Sequence, residues 1–309
     1  MTKSPNVSVL ISAKNESKHI EKTINSMIVN TSYKNYEIIV VNDNSTDGTE
    51  QILFDLSKKH QNIKSFKLSG VGTAKARNMC FKYSSGDLII CSDAHITVKE
   101  NWLEKIVEIF NKTNFDILSI PMSPDPRGDG DTDSVGYGQT LKKDLIALWL
   151  TQKPSGYDEV PIAPGGFAVY KREVFEDIGG YETDFDTWGY EDIEIAIKSW
   201  LFGYKSIVAY DMVVLHYFRA MAPFKIKKID YYCNVYKTAF LHFGTRRILK
   251  VRSILENYIK LENPSDYQEL LDKLDKCIQT PYMIKRRDEY FDRRKYSDEW
   301  YFKRFNIPL

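Results

Sequence analysis

The sequence is short of the features that define several protein classes. Only four of its 309 residues are cysteine (Cys80, Cys91, Cys233 and Cys277), and none belongs to a CxxC pair. A disulfide scaffold, a zinc ribbon and a thioredoxin-type centre are therefore disfavoured, and scattered thiols suit a reducing cytosol. No run of 18 apolar residues occurs, so no spanning helix is expected. The first fifteen residues lack the charged, apolar and small-residue zones of a signal peptide. Neither sign of charge prevails: 43 Lys and Arg face 42 Asp and Glu, a net charge of +1. That balance offers no global field for nucleic acid. A glycine-rich GxGxxG after the first apolar run is missing, as is the P-loop pattern.

What remains is an ordinary globular composition, 43% apolar and 28% charged. The length suggests about two folding units. The charge is unevenly shared: residues 1–222 hold 24 basic and 30 acidic side chains, and residues 223–309 hold 19 and 12. The second stretch also carries 16 of the 41 aromatic residues. A boundary near Pro223 follows, with a first domain at 1–222 and a basic, aromatic-rich helical extension at 223–309.

The first stretch alternates strands and helices. Residues 7–13 (VSVLISA) and 37–42 (EIIVVN) read as buried strands, 63–68 as a weaker one, and 87–92 (DLIICS) as a fourth. Between them lie helices predicted at 16–29, from the turn at 43–48 to about His60, and at 70–83. This alternation implies right-handed crossovers and a mainly parallel α/β sheet with helices on both faces. Ligands of such sheets sit beyond the carboxyl ends of the strands. Those ends carry Asn15 and Glu16, then Asp43, then the segment 70–78 with Arg77, then Asp93 and His95. The site is expected on that rim.

Asp93-Ala94-His95 follows an apolar strand, and alternate residues of an extended chain point the same way. A carboxylate and an imidazole there suit Mn²⁺ or a similar divalent ion; the plainer reading is a helix cap followed by a surface histidine. His216 ends a second apolar run, 212–215, and would complete a set of three ligands or serve as an ordinary core histidine. Glu191 and Asp192 open a helix whose apolar stripe is Ile193, Ile197, Trp200 and Leu201, with Gly203 as its stop. They suit a general base, and equally the preference of acidic side chains for a helix start. Gly165 and Gly166 allow close backbone approach to a ligand, or an ordinary turn. Asp43 could accept a hydrogen bond from a uracil imide, and Arg77 could approach the base or a phosphate.

Taken together, VSVLISAKNE, IIVVNDNSTDGT, GTAKARN and SSGDLIICSDAH resemble the nucleotide-binding half of the inverting family 2 glycosyltransferases, of GT-A fold. The stretch GGFAVYKREVFEDIGGYETDFDTWGYEDIEIAIKSWLFG is similar to the acceptor half of polypeptide N-acetylgalactosaminyltransferases, chondroitin polymerases and β-1,4-galactosyltransferases. The likeness covers residues 7–219. It implies metal-dependent transfer of a sugar from a UDP-sugar to an acceptor hydroxyl on a glycan, a lipid-linked saccharide or a peptide. It also implies Asn15, Glu16, Asp43 and Arg77 around the nucleotide, Asp93, His95 and His216 as ligands of Mn²⁺ or Mg²⁺, Trp188 lining the acceptor or sugar pocket, and Glu191 with Asp192 as the acidic pair; Gly165 and Gly166 are counted with the donor-binding residues. His95 departs from the usual Asp of family 2 and moves the likeness toward the polypeptide transferases, which retain configuration. Asp192 stands where those retaining enzymes have Asn, so a carboxylate base for inversion is present. The competing function is a catalytically silent nucleotide-sugar binder acting through its extension. The extension, with Lys285-Arg286-Arg287 and Arg293-Arg294-Lys295 among tyrosines, fits a peripheral contact with an anionic membrane, a homodimer interface or a solvated basic face. The expected location is the cytoplasm, at the inner face of the membrane if that contact is made.

Overall fold

Continuous apolar runs make strands that can be covered on both faces. The computed structural model describes residues 4–126 and 134–309. In it the strands β1 (Val7–Ala13), β2 (Tyr36–Asp43), β3 (Ile63–Leu68) and β4 (Leu88–Ser92) alternate with helices α1 (Ile20–Val29), α2 (Thr49–Lys59) and α3 (Thr73–Lys82). The middle of the chain adds β5 (Ile96–Thr97), α4 (Trp102–Thr113), β6 (Ile117–Ser119), β7 (Met122–Pro124), β8 (Gln139–Leu141), β9 (Ala147–Trp149) and β10 (Phe167–Lys171). Then follow α5 (Arg172–Asp177), α6 (Glu191–Leu201), β11 (Ser206–Val208) and β12 (Val214–His216). Helices α7 (Lys228–His242), α8 (Thr245–Glu262), α9 (Tyr267–Lys276), α10 (Pro281–Arg293) and α11 (Asp298–Arg304) close the chain.

The central sheet has the order β11-β6-β10-β4-β1-β2-β3. Its pairs are parallel except at β10, which runs antiparallel to both β4 and β6. The register sets Ala13 beside Asn42 and Ile11 beside Ser92, so the exits of β1, β2 and β4 align on one rim. A small second sheet, β5-β12-β7, stands next to that rim and pairs His216 with Ile96.

Alternate strand residues feed two cores. Val9 and Ile11 meet Ile20, Ile24, Leu53 and Leu103 on one side. On the other side Leu10 and Ile39 meet Cys80, the α6 stripe of Ile193, Ile197 and Trp200, and Tyr236, Leu255, Tyr290, Tyr301 and Phe302 of the terminal helices. Each such side chain, fully buried, contributes roughly 1.5–3 kcal/mol. Residues 223–309 therefore share a core with the sheet. Polar contacts join them to it as well: buried Lys198 donates to the Gly180 carbonyl at 2.7 Å and sits 3.3 Å from Glu194, which contacts His242 of α7 at 2.7 Å. No helix among the described residues is long and apolar enough to cross a membrane.

The expected helix at 16–29 begins instead at Ile20. Asn15 adopts a left-handed φ of 56°, and the Glu16 amide donates to Thr49 Oγ1 at 2.8 Å, so residues 16–19 turn before the helix starts. The run at 212–215 becomes a strand only at Val214–His216, in the second sheet.

Candidate active site

The aligned strand exits open into a cavity of about 670 Å³. Its wall includes Lys14 and Glu16 after β1, Asp43 at the end of β2, the glycine loop 70–73 before α3, and Asp93 and His95 after β4. Trp188, His216, Phe218, Arg219 and Phe224 enclose the other side. Gly72 has a φ of +91°, and a Cβ there would lie 2.8 Å from the Thr187 carbonyl oxygen. Only glycine permits that approach, which brings the start of α3 against the loop carrying Trp188.

The pairing of β12 with β5 carries His216 to the β4 exit across 123 residues of sequence. His216 Nε2 lies 3.3 Å and His95 Nε2 3.9 Å from Asp93 Oδ2. One ligand atom from each of the three residues falls within 4.8 Å of the others. Burial pushes the Asp93 carboxyl up, yet the His216 contact and the charges of His95 and Arg77 outweigh burial and hold it well below the usual carboxylate range. Burial pushes His216 down, which favours a neutral imidazole with a free lone pair. Space is kept open as well: a Cβ on Gly166 would lie 3.2 Å from both Asp93 Oδ2 and His216 Cδ2. One carboxylate and two imidazoles around such a gap fit a divalent transition ion. Glu16 Oε1 lies 3.4 Å from His95 Nδ1, the ring nitrogen opposite the one near Asp93, but makes no hydrogen bond to it.

Arg77 is 3% exposed and does not reach into the cavity as a free cation. Its Nη2 donates to Asp93 Oδ1 at 2.8 Å and to the Gly165 carbonyl at 2.9 Å, and its Nη1 lies 3.6 Å from Glu191 Oε1. Asp43 accepts from the Val71 and Gly72 amides at 2.7 and 3.0 Å and so pins the glycine loop. Asn15 stands behind the wall, bonded to the Thr46 amide and the Pro223 carbonyl. Both Glu16 oxygens meet Arg219.

The acidic pair splits at the start of α6. Glu191 is buried and accepts from the Gly189 amide at 2.9 Å. Burial pushes its carboxyl up to about 7, with Arg77 opposing and Asp192 adding to the shift. Asp192 is half-buried, and its Oδ2 accepts from the Gly165 amide at 3.1 Å. Gly165 is wedged in that chain: a Cβ would lie 2.7 Å from Asp192 Cβ and 2.8 Å from Arg77 Nη1. Trp188 is 42% exposed beside the cavity, unlike Trp102 and Trp200 at 2%. Sequence reasoning did not single out Arg219, Phe218, Phe224 or Lys14.

The family model for glycosyl transferase family 2 matches residues 8–179, and that for the N-terminal domain of galactosyltransferase matches residues 151–222. Poly-β-1,6-N-acetyl-D-glucosamine synthase of Staphylococcus epidermidis is 28% identical over 203 residues, which are 64% of this chain and 47% of that protein. Polypeptide N-acetylgalactosaminyltransferase 11 of Xenopus tropicalis is 26% identical over 245 residues, 71% of this chain and 39% of that protein. The chain thus spans less than half the length of these curated relatives. A crystal structure of GalNAc-T7 with UDP, GalNAc and Mn²⁺ superposes with a TM-score of 0.73 at 21% identity, over 98% of this chain and 56% of that one.

Proposed function

The chain belongs to glycosyl transferase family 2 and has the GT-A fold, and from that premise we propose that it transfers a sugar from a UDP-sugar to an acceptor hydroxyl with inversion. The observation that carries this reading is the meeting of Asp93, His95 and His216 in a cavity built from the strand exits. A divalent ion held there would supply positive charge to offset that growing on a departing diphosphate. Asp93, His95 and His216 would hold it, with Mn²⁺ favoured by the two imidazoles.

The chain's own residues supply the rest. Asp43 and the glycine loop frame the uracil end of the cavity. Lys14 brings positive charge to its wall for the diphosphate, whereas the charge of Arg219 is met by Glu16. Trp188 offers an exposed aromatic face to a sugar ring, where one face of the ring can be desolvated. Asp192 takes the proton from the acceptor hydroxyl, a contribution of about 10²–10⁴-fold to the rate. Glu191, buried and tied to Gly189, shapes the turn that presents Asp192. The acceptor is a glycan end, a lipid-linked saccharide or a peptide side chain.

A panel of UDP-sugars, read by release of UDP with and without EDTA, tests the reading. Turnover with one donor, lost on chelation and restored by Mn²⁺, is the expected result. Donor binding without UDP release in the presence of any saccharide or peptide acceptor would point instead to a silent nucleotide-sugar binder.

A further inference from the structure

Arg77 has a position that nucleotide contact does not explain. It enters from α3, is 3% exposed, and rests on the Tyr181 ring with its guanidinium carbon 5.3 Å from the centroid. From there it touches both halves of the site. We propose that Arg77 is a positioning residue that reserves Asp93 Oδ2 for the metal ion and fixes the acidic pair relative to it. This inference rests on the metal reading above.

Consider first the Asp93 carboxylate. Left alone, it could rotate and offer either oxygen, or both, to a cation. Arg77 Nη2 takes Oδ1 at 2.8 Å, so Oδ2 is the oxygen turned to His216 and His95. The same Nη2 holds the Gly165 carbonyl at 2.9 Å, and the Asp93 amide donates to the Gly166 carbonyl at 2.9 Å. The 164–166 turn and the metal carboxylate therefore share two ties. From the other side of Gly165, its amide donates to Asp192 Oδ2 at 3.1 Å. Arg77 Nη1 faces Glu191 Oε1 at 3.6 Å, beyond hydrogen-bond length but close enough for strong attraction in a buried setting. A continuous set of contacts thus runs from Asp93 through Arg77 and Gly165 to Asp192.

The planar fork of arginine suits this task. Nη2 reaches a carboxylate and a carbonyl together, while Nη1 faces a second carboxylate. A lysine ammonium is a single point at the end of a flexible stem and cannot hold the same three groups in one plane. Replacing Arg77 with lysine keeps the charge and loses the geometry.

The test measures Mn²⁺ binding directly, from the free-ion electron paramagnetic resonance signal, on the full chain without donor or acceptor. Arg77→Lys should bind Mn²⁺ at least about tenfold more weakly than the parent, as expected when an outer partner of a ligand is lost. Arg77→Met paired with Glu191→Gln provides a second variant, because it removes one charge of each sign from the buried cluster. That pair should recover much of the melting temperature lost by Arg77→Met alone, while its Mn²⁺ affinity stays low. Parent-like affinity in either folded variant would overturn the positioning role and leave the metal reading standing. Recovery of affinity together with melting temperature would show a purely structural arginine and also overturn it. If the parent chain binds no Mn²⁺, the metal reading fails, and this inference fails with it.

Discussion

Both carboxylate oxygens of Glu16 lie within hydrogen-bond distance of Arg219 Nη2, at 3.0 and 2.8 Å, although the two residues are 203 positions apart. The pair is well shielded, with side-chain exposures of 6% and 17%. It fastens the segment after β12 to the turn after β1, and so closes the cavity on the side of His95. Removing one partner of a buried pair strands the other charge. With Arg219 partly exposed, Glu16→Gln should lower folding stability by roughly 2 kcal/mol, below the full cost for a dry pair. A double-mutant cycle with Arg219→Gln should return a coupling of about 1 kcal/mol or more. Additive losses in denaturant unfolding would mean that the contact carries no energy of its own.

Glu191 makes stability depend on pH in a direction that can be worked out. Burial, opposed by Arg77 and aided by Asp192, raises its carboxyl from an ordinary value near 4.5 to about 7. The folded state therefore holds this proton more tightly than the unfolded state. Its contribution is fully present below about pH 4.5 and is lost as pH rises through about 7. A shift of this size is worth roughly 3 kcal/mol. Glu191→Gln removes the titration. Unfolding free energies of the two chains in EDTA, compared at pH 5 and pH 8, should show the variant gaining on the parent at the higher pH. A constant difference would place the titration elsewhere.

Not all of this was legible in the sequence, and the reason differs by element. β1 falls where its apolar run puts it, because a strand buried on both faces leaves a continuous hydrophobic record, whereas the edge strand β3 (IKSFKL), with only Ile63 buried, left a fainter one. The reversed direction of β10 left no such record: FAVYK is as apolar read either way. Asp93 and His95 were visible as a pair because they adjoin one strand end. The place of His216 depends on β12 pairing with β5, a tertiary fact. Arg77 shows the limit most clearly. Its helix and charge could be read, but its three partners at Asp93, Gly165 and Glu191 arrive from three other segments, and only the fold makes them neighbours.

The metal reading predicts a shift in melting temperature. An ion that binds only the folded chain stabilises it by about 2.7 kcal/mol when present at 100 times its dissociation constant. Mn²⁺ should raise the melting temperature of the parent, and EDTA should reverse the rise. Asp93→Asn weakens the one anionic ligand and should abolish the shift. The shift should also shrink as pH falls and protons compete for His216, whose imidazole burial already biases toward the neutral form. An equal rise in parent and variant would show that Mn²⁺ acts at another place.

Gly166 offers a finer probe of the same centre. A Cβ at this position would sit 3.2 Å from Asp93 Oδ2 and from His216 Cδ2, and 2.9 Å from Met122 Cε. The methionine tip is flexible and can move aside. The two ligands cannot move without leaving their shared focus. Gly166→Ala should therefore cost little in unfolding free energy, about 1 kcal/mol, as a modest overpacking does. Its Mn²⁺ affinity, by titration calorimetry, should fall far more than its stability. A parent-like affinity would mean that the gap beside Gly166 is not where the ion binds.

Asp192 and Glu191 can be told apart by what each does to turnover. Asp192 is half-buried, and its Oδ2 is steered by the Gly165 amide at 3.1 Å, while Glu191 is buried and held by the Gly189 amide. Asp192→Asn keeps an oxygen for the Gly165 amide but has no lone pair basic enough to take a hydroxyl proton. Its kcat should fall by about 10²–10⁴ while donor binding, measured by calorimetry with UDP, stays within about threefold of the parent. Because the lost step is proton removal, raising the pH should restore part of the rate for acceptors of lower pKa, and an activated phenolic acceptor should suffer least. A uniform loss across acceptors, together with weakened UDP binding, would assign Asp192 to holding the 165–166 turn and would leave the base still to be found.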